Sequence, residues 1–442
     1  MTRRSLLRTT LLLLPVQIIF RAGEALLPLL LAAWFGRTNA TDVYYFSWAV
    51  FTFAGSLVFS AYQDSALVPI LAEVRIEDAK RPDAERILPR VTGSLLVHTL
   101  VFGSALALLI GAIALGWFRL RYEGPDLALA AKMVAPFCVY LVALSVKTYF
   151  VALLNAEHRY FAHPVASSAG IVTTIAIIFA FREKWGVLAV PIGSLVGEGV
   201  AILFLLVIAF GITKMKMSLN FTRPEPMRRF AKLIASEVGG GAVTRVNPVV
   251  DQLMAGLAGV IGGGTMLRYA GDVASLPTSL LQATLLPVLL SHLADDFAAG
   301  KIEKIRSTVT RSLMSVCTIL VGLALLLYVV REPLLRFVFL RGEMDVLGVD
   351  RMAAILPYHL VGLAPFGALL VLARAHVAIK NSTIMLSMGA LNAGLNAVFN
   401  VVLLRVMGLE GIALSTSCVQ LGIAVVFWFR LESKLARVRA AA

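Results

Sequence analysis

Several charged side chains stand inside long apolar stretches, where a charge costs ~2.5–3.5 kcal/mol to insert and is kept for a partner or a wet cavity. Arg21 and Glu24 are three apart and share one helical face. Arg268 and Asp272 are four apart in the same sense, whereas Arg245 and Asp251 are six apart and fall on roughly opposite faces, so they do not simply pair. Glu237 lies just upstream of them. An arginine in a low-dielectric cavity forms bidentate hydrogen bonds to phosphate or diphosphate and stays charged at any physiological pH, which points to an anionic lipid headgroup. For Arg21 with Glu24 and Arg268 with Asp272, an ion pair within the helix that lowers the insertion cost is the competing reading. The carboxylates and a run of amides, Asn392, Asn396 and Asn400 at four-residue spacing, suggest a second, cationic ligand, because hard cations take oxygen donors. The same amide stripe could serve instead to hydrogen-bond neighbouring helices. Asp64, Lys147 and Glu198 lie near expected helix ends and are expected to snorkel to the headgroups.

Other chemistries are not supported. His98, His158, His163, His292, His359 and His376 are scattered without ligand spacing, and Cys138, Cys317 and Cys418 share no CxxC spacing and read as small buried packing residues. No Walker loop, GxSxG elbow or HExxH sequence occurs, so neither a hydrolase nor an ATP-driven pump is expected. The chain reads as a non-enzyme without an organic cofactor, energised by a Na+ or H+ gradient or by the membrane potential.

The elements that must hold these residues are membrane helices. The 442 residues are 59% hydrophobic and 15% charged, with a mean hydropathy of +0.85, far from the composition of a soluble domain. The net charge of +14 is therefore a matter of which loops face the cytoplasm, and nucleic acid is not an expected partner. Runs of about 20 apolar residues give about twelve candidate spans, near 6–35, 43–68, 88–117, 126–154, 160–181, 185–212, 230–260, 265–292, 306–330, 350–376, 380–404 and 408–430. Glycine and Asn-Pro breaks in the seventh and eighth suggest that these two line an interior. The stretch after Met1 runs past Arg21 and Glu24 to Trp34 and reads as a first span, not a cleaved signal. Basic residues concentrate in alternate segments, among them Arg75 to Arg90, Lys214 to Lys232 and the two chain ends, which places both termini in the cytoplasm.

The polar break from Lys214 to Arg229, with Pro224 and Pro226, falls mid-chain and separates a six-helix bundle over 1–220 from a second over 221–442. Leu67-Val68-Pro69 is matched by Leu285-Leu286-Pro287, and Gly186-Val187-Leu188-Ala189 by Gly411-Ile412-Ala413-Leu414. Two such halves are the architecture of transporters that rock one repeat against the other.

The stretches from Trp34-Phe35-Gly36-Arg37 through Asp42-Val43-Tyr44-Tyr45, and from Ser65 through Pro69 to Glu73, resemble the N-terminal signature of the MurJ/MviN lipid II flippase family. That family lies within the multidrug/oligosaccharidyl-lipid/polysaccharide exporter superfamily. Asn247-Pro248 to Asp251, Arg268-Tyr269-Ala270 to Pro277, Leu340-Arg341-Gly342-Glu343, Asn396 to Asn400 and Gly411 to Thr416 agree with it in order over nearly the whole chain. The resemblance implies an all-α, V-shaped integral-membrane transporter of about twelve helices. Its expected cargo is an anionic isoprenoid-diphosphate-linked sugar, moved from the inner to the outer leaflet of the bacterial cytoplasmic membrane by a monomer amid membrane lipids.

Basic residues on helices one, two and eight line the cavity in this family. Arg21 matches the first; the second helix-one arginine falls at Leu27 and the helix-two arginine near Gly55. On helix eight the Tyr-Ala landmark points to Asp272, while counting back from Leu285-Leu286-Pro287 lands beside Arg268. Asp42, within the first signature, joins Arg21, Arg245, Arg268 and Asp272 as an expected substrate contact. A sodium site in some members maps to Asp251, Asn396, Asn400 and Thr416. The two further helices that form a tail groove in typical members have no counterpart after the twelfth span. Missing arginines and groove leave two alternatives open: an O-antigen or exopolysaccharide repeat-unit exporter, and a cation-coupled multidrug exporter working through Glu237 and Asp251.

Overall fold

The computed structural model describes residues 3–60, 67–78, 80, 82, 86–157, 159–228, 246–379, 381 and 383–441. Most of these residues are helical, and no strand occurs among them. The helices are α1 (Arg3–Phe35), α2 (Asn39–Ser60), α3 (Val68–Asp78), α4 (Leu88–Arg121), α5 (Gly124–Ala156), α6 (Ala162–Trp185) and α7 (Ala189–Leu206). They continue with α8 (Asn247–Leu257), α9 (Gly263–Ala298), α10 (Ile302–Phe339), α11 (Val346–Val361), α12 (Leu363–Ala378), α13 (Thr383–Met407) and α14 (Leu409–Ala441). Glu237, Arg245 and Asp64, singled out in the sequence, lie outside the described residues.

Two compact units result: Met1–Phe35 with Asn39–Gly239, and Gly36–Thr38 with Gly240–Ala442. The polar segment at mid-chain stays with the first. Ser218 donates its backbone N–H to the Pro89 carbonyl at 2.8 Å and Asn220 its amide to Arg90 O at 2.9 Å, so the chain after α7 is bound along the start of α4.

In the first unit α5 is central, packing on α2, α3, α4 and α7, while α6 packs on α1 and α7. Its core is aromatic: Phe51 of α2 stacks on Phe137 of α5 with ring centroids 5.2 Å apart, and Trp48 meets Tyr140 at 5.8 Å. The α6–α7 seam is made of small residues. A Cβ on Gly170 would stand 2.9 Å from the Gly197 carbonyl, and one on Gly197 would run into Thr174. In a bilayer, where lipid tails compete with any apolar side chain, such close backbone contact drives helix association. Gly186, at φ +55, turns the chain between them. The 51-residue apolar stretch Ala162–Ile212 thus folds back on itself and crosses twice.

In the second unit α12 packs on α9, α10 and α14, α11 packs on α9, α10 and α14, and α13 pairs with α14 and α8. The two packing schemes match: α6 with α7 as α13 with α14, α5 with α7 as α12 with α14, α2 with α5 as α9 with α12, α1 with α6 as α8 with α13. One interval separates Phe35 from Leu257, Ala156 from Ala378, Trp185 from Met407 and Gly186 from Gly408. Both glycines of the last pair have positive φ, 55° and 69°. This sets Gly186 opposite Gly408, one turn away from the pairing with Gly411 that the sequence suggests, because the helix break and not the apolar run marks the repeat.

Six stretches among the described residues are long and apolar enough to cross a membrane, and α11 with α12, bent by 41°, would make a seventh. Helices α1, α2 and α9 coincide with further expected spans. The outward faces of α4 and α10 carry exposed Leu108, Leu325 and Val329, a surface that water would not tolerate and lipid does. The free cysteines depart from the expected buried packing: Cys138 and Cys317 are half-buried and Cys418 is exposed.

Candidate functional site

Asp251, Asn396, Asn400 and Thr416 come together inside the second unit. Asn247-Pro248 opens α8, with proline at a helix start where its missing N–H is not needed, and Asp251 follows one turn later. Asn396 and Asn400 project from one face of α13 onto its carboxylate, donating to Oδ1 at 3.2 and 2.8 Å. Thr416 of α14 donates to Oδ2 at 3.2 Å. Asn400 also donates to Asn396 Oδ1 at 2.6 Å, and both asparagines are fully buried. Among the described residues no bond joins Asn392 to this group, and no basic residue forms a salt bridge with Asp251. Asn400 Oδ1 is buried without a partner, as is Asn247 Oδ1. The donor atoms are all oxygens apart from the amide nitrogens, and an orphaned oxygen beside a buried carboxylate fits a hard monovalent cation. No group of three His, Cys, Asp or Glu side chains suited to a transition metal occurs among the described residues.

A cavity of about 320 Å³ opens from this cluster and is lined by α8, α9, α11, α12 and α14. Arg268, Gly271, Asp272 and Ser275 face it from α9, an i, i+3, i+4, i+7 stripe that one helix face delivers. Arg268 Nε binds Asp272 at 3.0 Å, the intrahelical pair that the spacing allows. His359, Ser417 and Gln420 complete the polar wall. The bend at Gly362 makes room: a Cβ there would stand 2.5 Å from Ser417 Oγ and 2.6 Å from Gln420 Oε1. Ser417 donates to the Tyr358 carbonyl, which the bend leaves without its helical partner.

In the first unit Arg21 pairs with Glu24 at 2.9 Å within α1, the intrahelical pair that the spacing allows, and the arginine side chain is 78% exposed. Lys147 of α5 and Glu198 of α7 do not reach for the headgroups. They form an ion pair at 2.6 Å with side chains 16% and 13% exposed, and Glu198 Oε2 is buried with no partner. Charges of opposite sign midway along two apolar helices were the available signal for this pair. Asp42 stands in the first turn of α2, where an acidic group complements the helix N-terminus. It lies beside the α4–α5 turn, where burial, then Asp42, pushes the Tyr122 phenol up to about 12. Arg21 and Asp42 belong to one unit and Arg268, Asp272 and the Asp251 cluster to the other.

A model of the family described as lipid II flippase MurJ matches residues 31–441. The chain belongs to the lipid II flippase MurJ family. It is thereby a multi-pass membrane transporter whose family handles a lipid-linked cargo, not an enzyme. It is 25% identical over 403 residues to a Rhizobium tropici protein named "Probable lipid II flippase MurJ", covering 87% of this chain and 73% of that one. A Thermotoga maritima protein of the same name is 24% identical, covering 88% and 78%. For a Rhizobium meliloti relative the chain spans 57% of the other's length. Among solved structures, a lipid II flippase MurJ in an inward closed conformation superposes with a TM-score of 0.78 at 20% identity, covering 97% of this chain and 90% of that one. An inward-facing multidrug resistance MATE family transporter of the MOP superfamily follows at 0.75 and 14%, covering 96% of each. Both likenesses concern the fold; the MurJ family match is what separates this chain from the multidrug branch.

Proposed function

We propose that this chain is a flippase carrying a polyprenyl-diphosphate-linked glycan, the lipid II peptidoglycan precursor or a close relative, from the inner to the outer leaflet of the bacterial cytoplasmic membrane by alternating access. The observation that carries this reading is the MurJ family match over residues 31–441 on a chain whose second unit holds a polar cavity among apolar helices. It works as a monomer with both termini cytoplasmic, as the basic loop residues indicate. Arg21, Arg245 and Arg268 serve the anionic headgroup, with Asp42 and Asp272 as further contacts to the cargo. Na+ is the coupling ion in this reading, held by Asp251, Asn396, Asn400 and Thr416, where it supplies the positive charge that a buried carboxylate otherwise lacks.

The test is translocation in proteoliposomes of a fluorescent polyprenyl-diphosphate glycan, scored by protection from a membrane-impermeant quencher. Transport above that of empty vesicles is expected, and the rate should respond to an imposed Na+ gradient. Equal rates with and without protein would remove the flippase reading; transport indifferent to Na+ would remove the coupling ion alone.

A further inference from the structure

Another cavity of the second unit lies at the far end of α10. No charge interrupts the sequence between Arg311 and Arg331, about the length of one span, and Tyr328, Val329 and Phe337 near its end are exposed. Arg331 therefore marks the depth at which hydrocarbon gives way to headgroups. With both termini cytoplasmic, this end of α10 faces the outer leaflet. The helix runs on to Phe339 and the chain turns back into α11. Between the two helices a cavity of about 340 Å³ is lined by Arg331, Glu332, Arg336, Asp350, Ala353 and Ala354.

Arg331 is held in place, its Nη1 donating to the Tyr328 carbonyl at 2.7 Å and its guanidinium lying 4.4 Å from the centre of the Tyr328 ring. Its Nη2 stands 3.6 Å from Glu332, and Arg336 Nη2 binds Asp350 Oδ1 at 3.0 Å. Glu332, Arg336 and Asp350 are about half exposed, so a ligand can reach them, and pairs of this kind are weak enough to be exchanged for one. Two guanidiniums face two carboxylates, and an ion of a single sign would meet repulsion from half of the wall. A group carrying phosphate and ammonium close together meets both signs. Its phosphate takes forked N–H bonds from the arginines, and a primary ammonium donates to Glu332 and Asp350, which a trimethylated one, lacking N–H, cannot do.

We propose that this cavity binds the headgroup of a zwitterionic phospholipid with a primary amine, its acyl chains lying along the exposed face of α10, so that a bilayer lipid ties the end of α10 to the start of α11. The site is separate from the cavity beside Asp251 and holds whichever cargo the chain carries.

The experiment uses the full chain in detergent micelles and three lipids with identical acyl chains, phosphatidylethanolamine, phosphatidylcholine and phosphatidylglycerol, with bound lipid counted by native mass spectrometry. Phosphatidylethanolamine should saturate one site about tenfold more tightly than either of the others, the worth of one hydrogen bond between charged groups. Ala354→Leu fills the exposed floor of the cavity without touching a charge, and Arg336→Gln removes a phosphate donor; each should lower phosphatidylethanolamine binding by about tenfold. Asp350→Asn should keep the phosphate contact and narrow the preference for ethanolamine over choline. All three positions are exposed or half exposed, and an unchanged melting temperature verifies that the variants fold. Equal binding of the ethanolamine and choline lipids would overturn the site, as would tighter binding of phosphatidylglycerol. An ethanolamine preference that survives both Ala354→Leu and Arg336→Gln, or a ratio of ethanolamine to choline binding untouched by Asp350→Asn, would overturn it too.

Discussion

Asp251 is the residue on which the second unit's polar chemistry turns. Its carboxylate takes hydrogen bonds from Asn396, Asn400 and Thr416, so it orders three side chains from two helices around one point. Substituting Asp251→Ala leaves the buried amide of Asn400 short of an acceptor, at a cost of ~1–3 kcal/mol. The expected result is a lower melting temperature in detergent, together with loss of any stabilisation that Na+ confers on the wild type. A Na+-dependent shift that survives in Asp251→Ala would place the cation somewhere else. The four members of this cluster were legible in the sequence only through family resemblance, since spacing joins Asn396 to Asn400 but nothing in the chain order brings Asp251 or Thr416 to them. His359 was not legible: a lone histidine carries no spacing signal, and only the packing of α9 against α11 brings it to the cavity wall.

Paired helices carry the next level of stability. The Lys147–Glu198 bridge ties α5 to α7 where neither side chain reaches bulk solvent. Removing one partner strands the other charge, so Lys147→Met or Glu198→Gln should each destabilise the first unit by roughly 3–5 kcal/mol, while Lys147→Met with Glu198→Leu should recover much of the loss. Chemical denaturation of the three variants measures this, and equal losses for single and double variants would show that packing, not charge, is at stake. At the α6–α7 seam, Gly197→Ala pushes a methyl into Thr174 and the Gly170 carbonyl, an overpacking that should cost about 1–3 kcal/mol. Thermal unfolding would register it, and an unchanged melting point would mean that the seam can part. Helix positions were readable from apolar runs, which bilayer thickness calibrates; the pairing of Lys147 with Glu198 was not, because a side chain's depth and facing depend on how its helix is packed.

The two units share a wiring diagram and yet exchange a short piece of chain. Gly36–Thr38, between two helices of the first unit, belong to the second. Arg37 holds Asp345 through Nε and Nη2, both at 2.8 Å, and Asp345 in turn caps α11 by accepting from Gly348 N at 2.9 Å. The Arg37 guanidinium keeps the Asp345 carboxyl below its ordinary value of 3.8. A carboxyl whose pKa is lowered in the folded protein stabilises it above the ordinary value and loses that contribution as the pH falls. The stability difference between wild type and Arg37→Gln should therefore be full above pH 3.8 and shrink below it. With Asp345 half exposed, the difference itself should be modest, and a gap that widened in acid would contradict the assignment.

Composition alone committed this chain to the bilayer, since so few polar side chains cannot cover a water-facing surface and an apolar run of fixed length can only be a span. The twofold repeat and the family were likewise written in order and interval along the chain. The tertiary structure decided which charges meet. Arg21 with Glu24 and Arg268 with Asp272 follow from helical geometry, a local property. Lys147 with Glu198, Asp251 with its amides, and His359 facing Gly271 depend on which faces of distant helices pack together, and that is set by glycine seams and helix bends whose effect appears only when the whole unit is assembled.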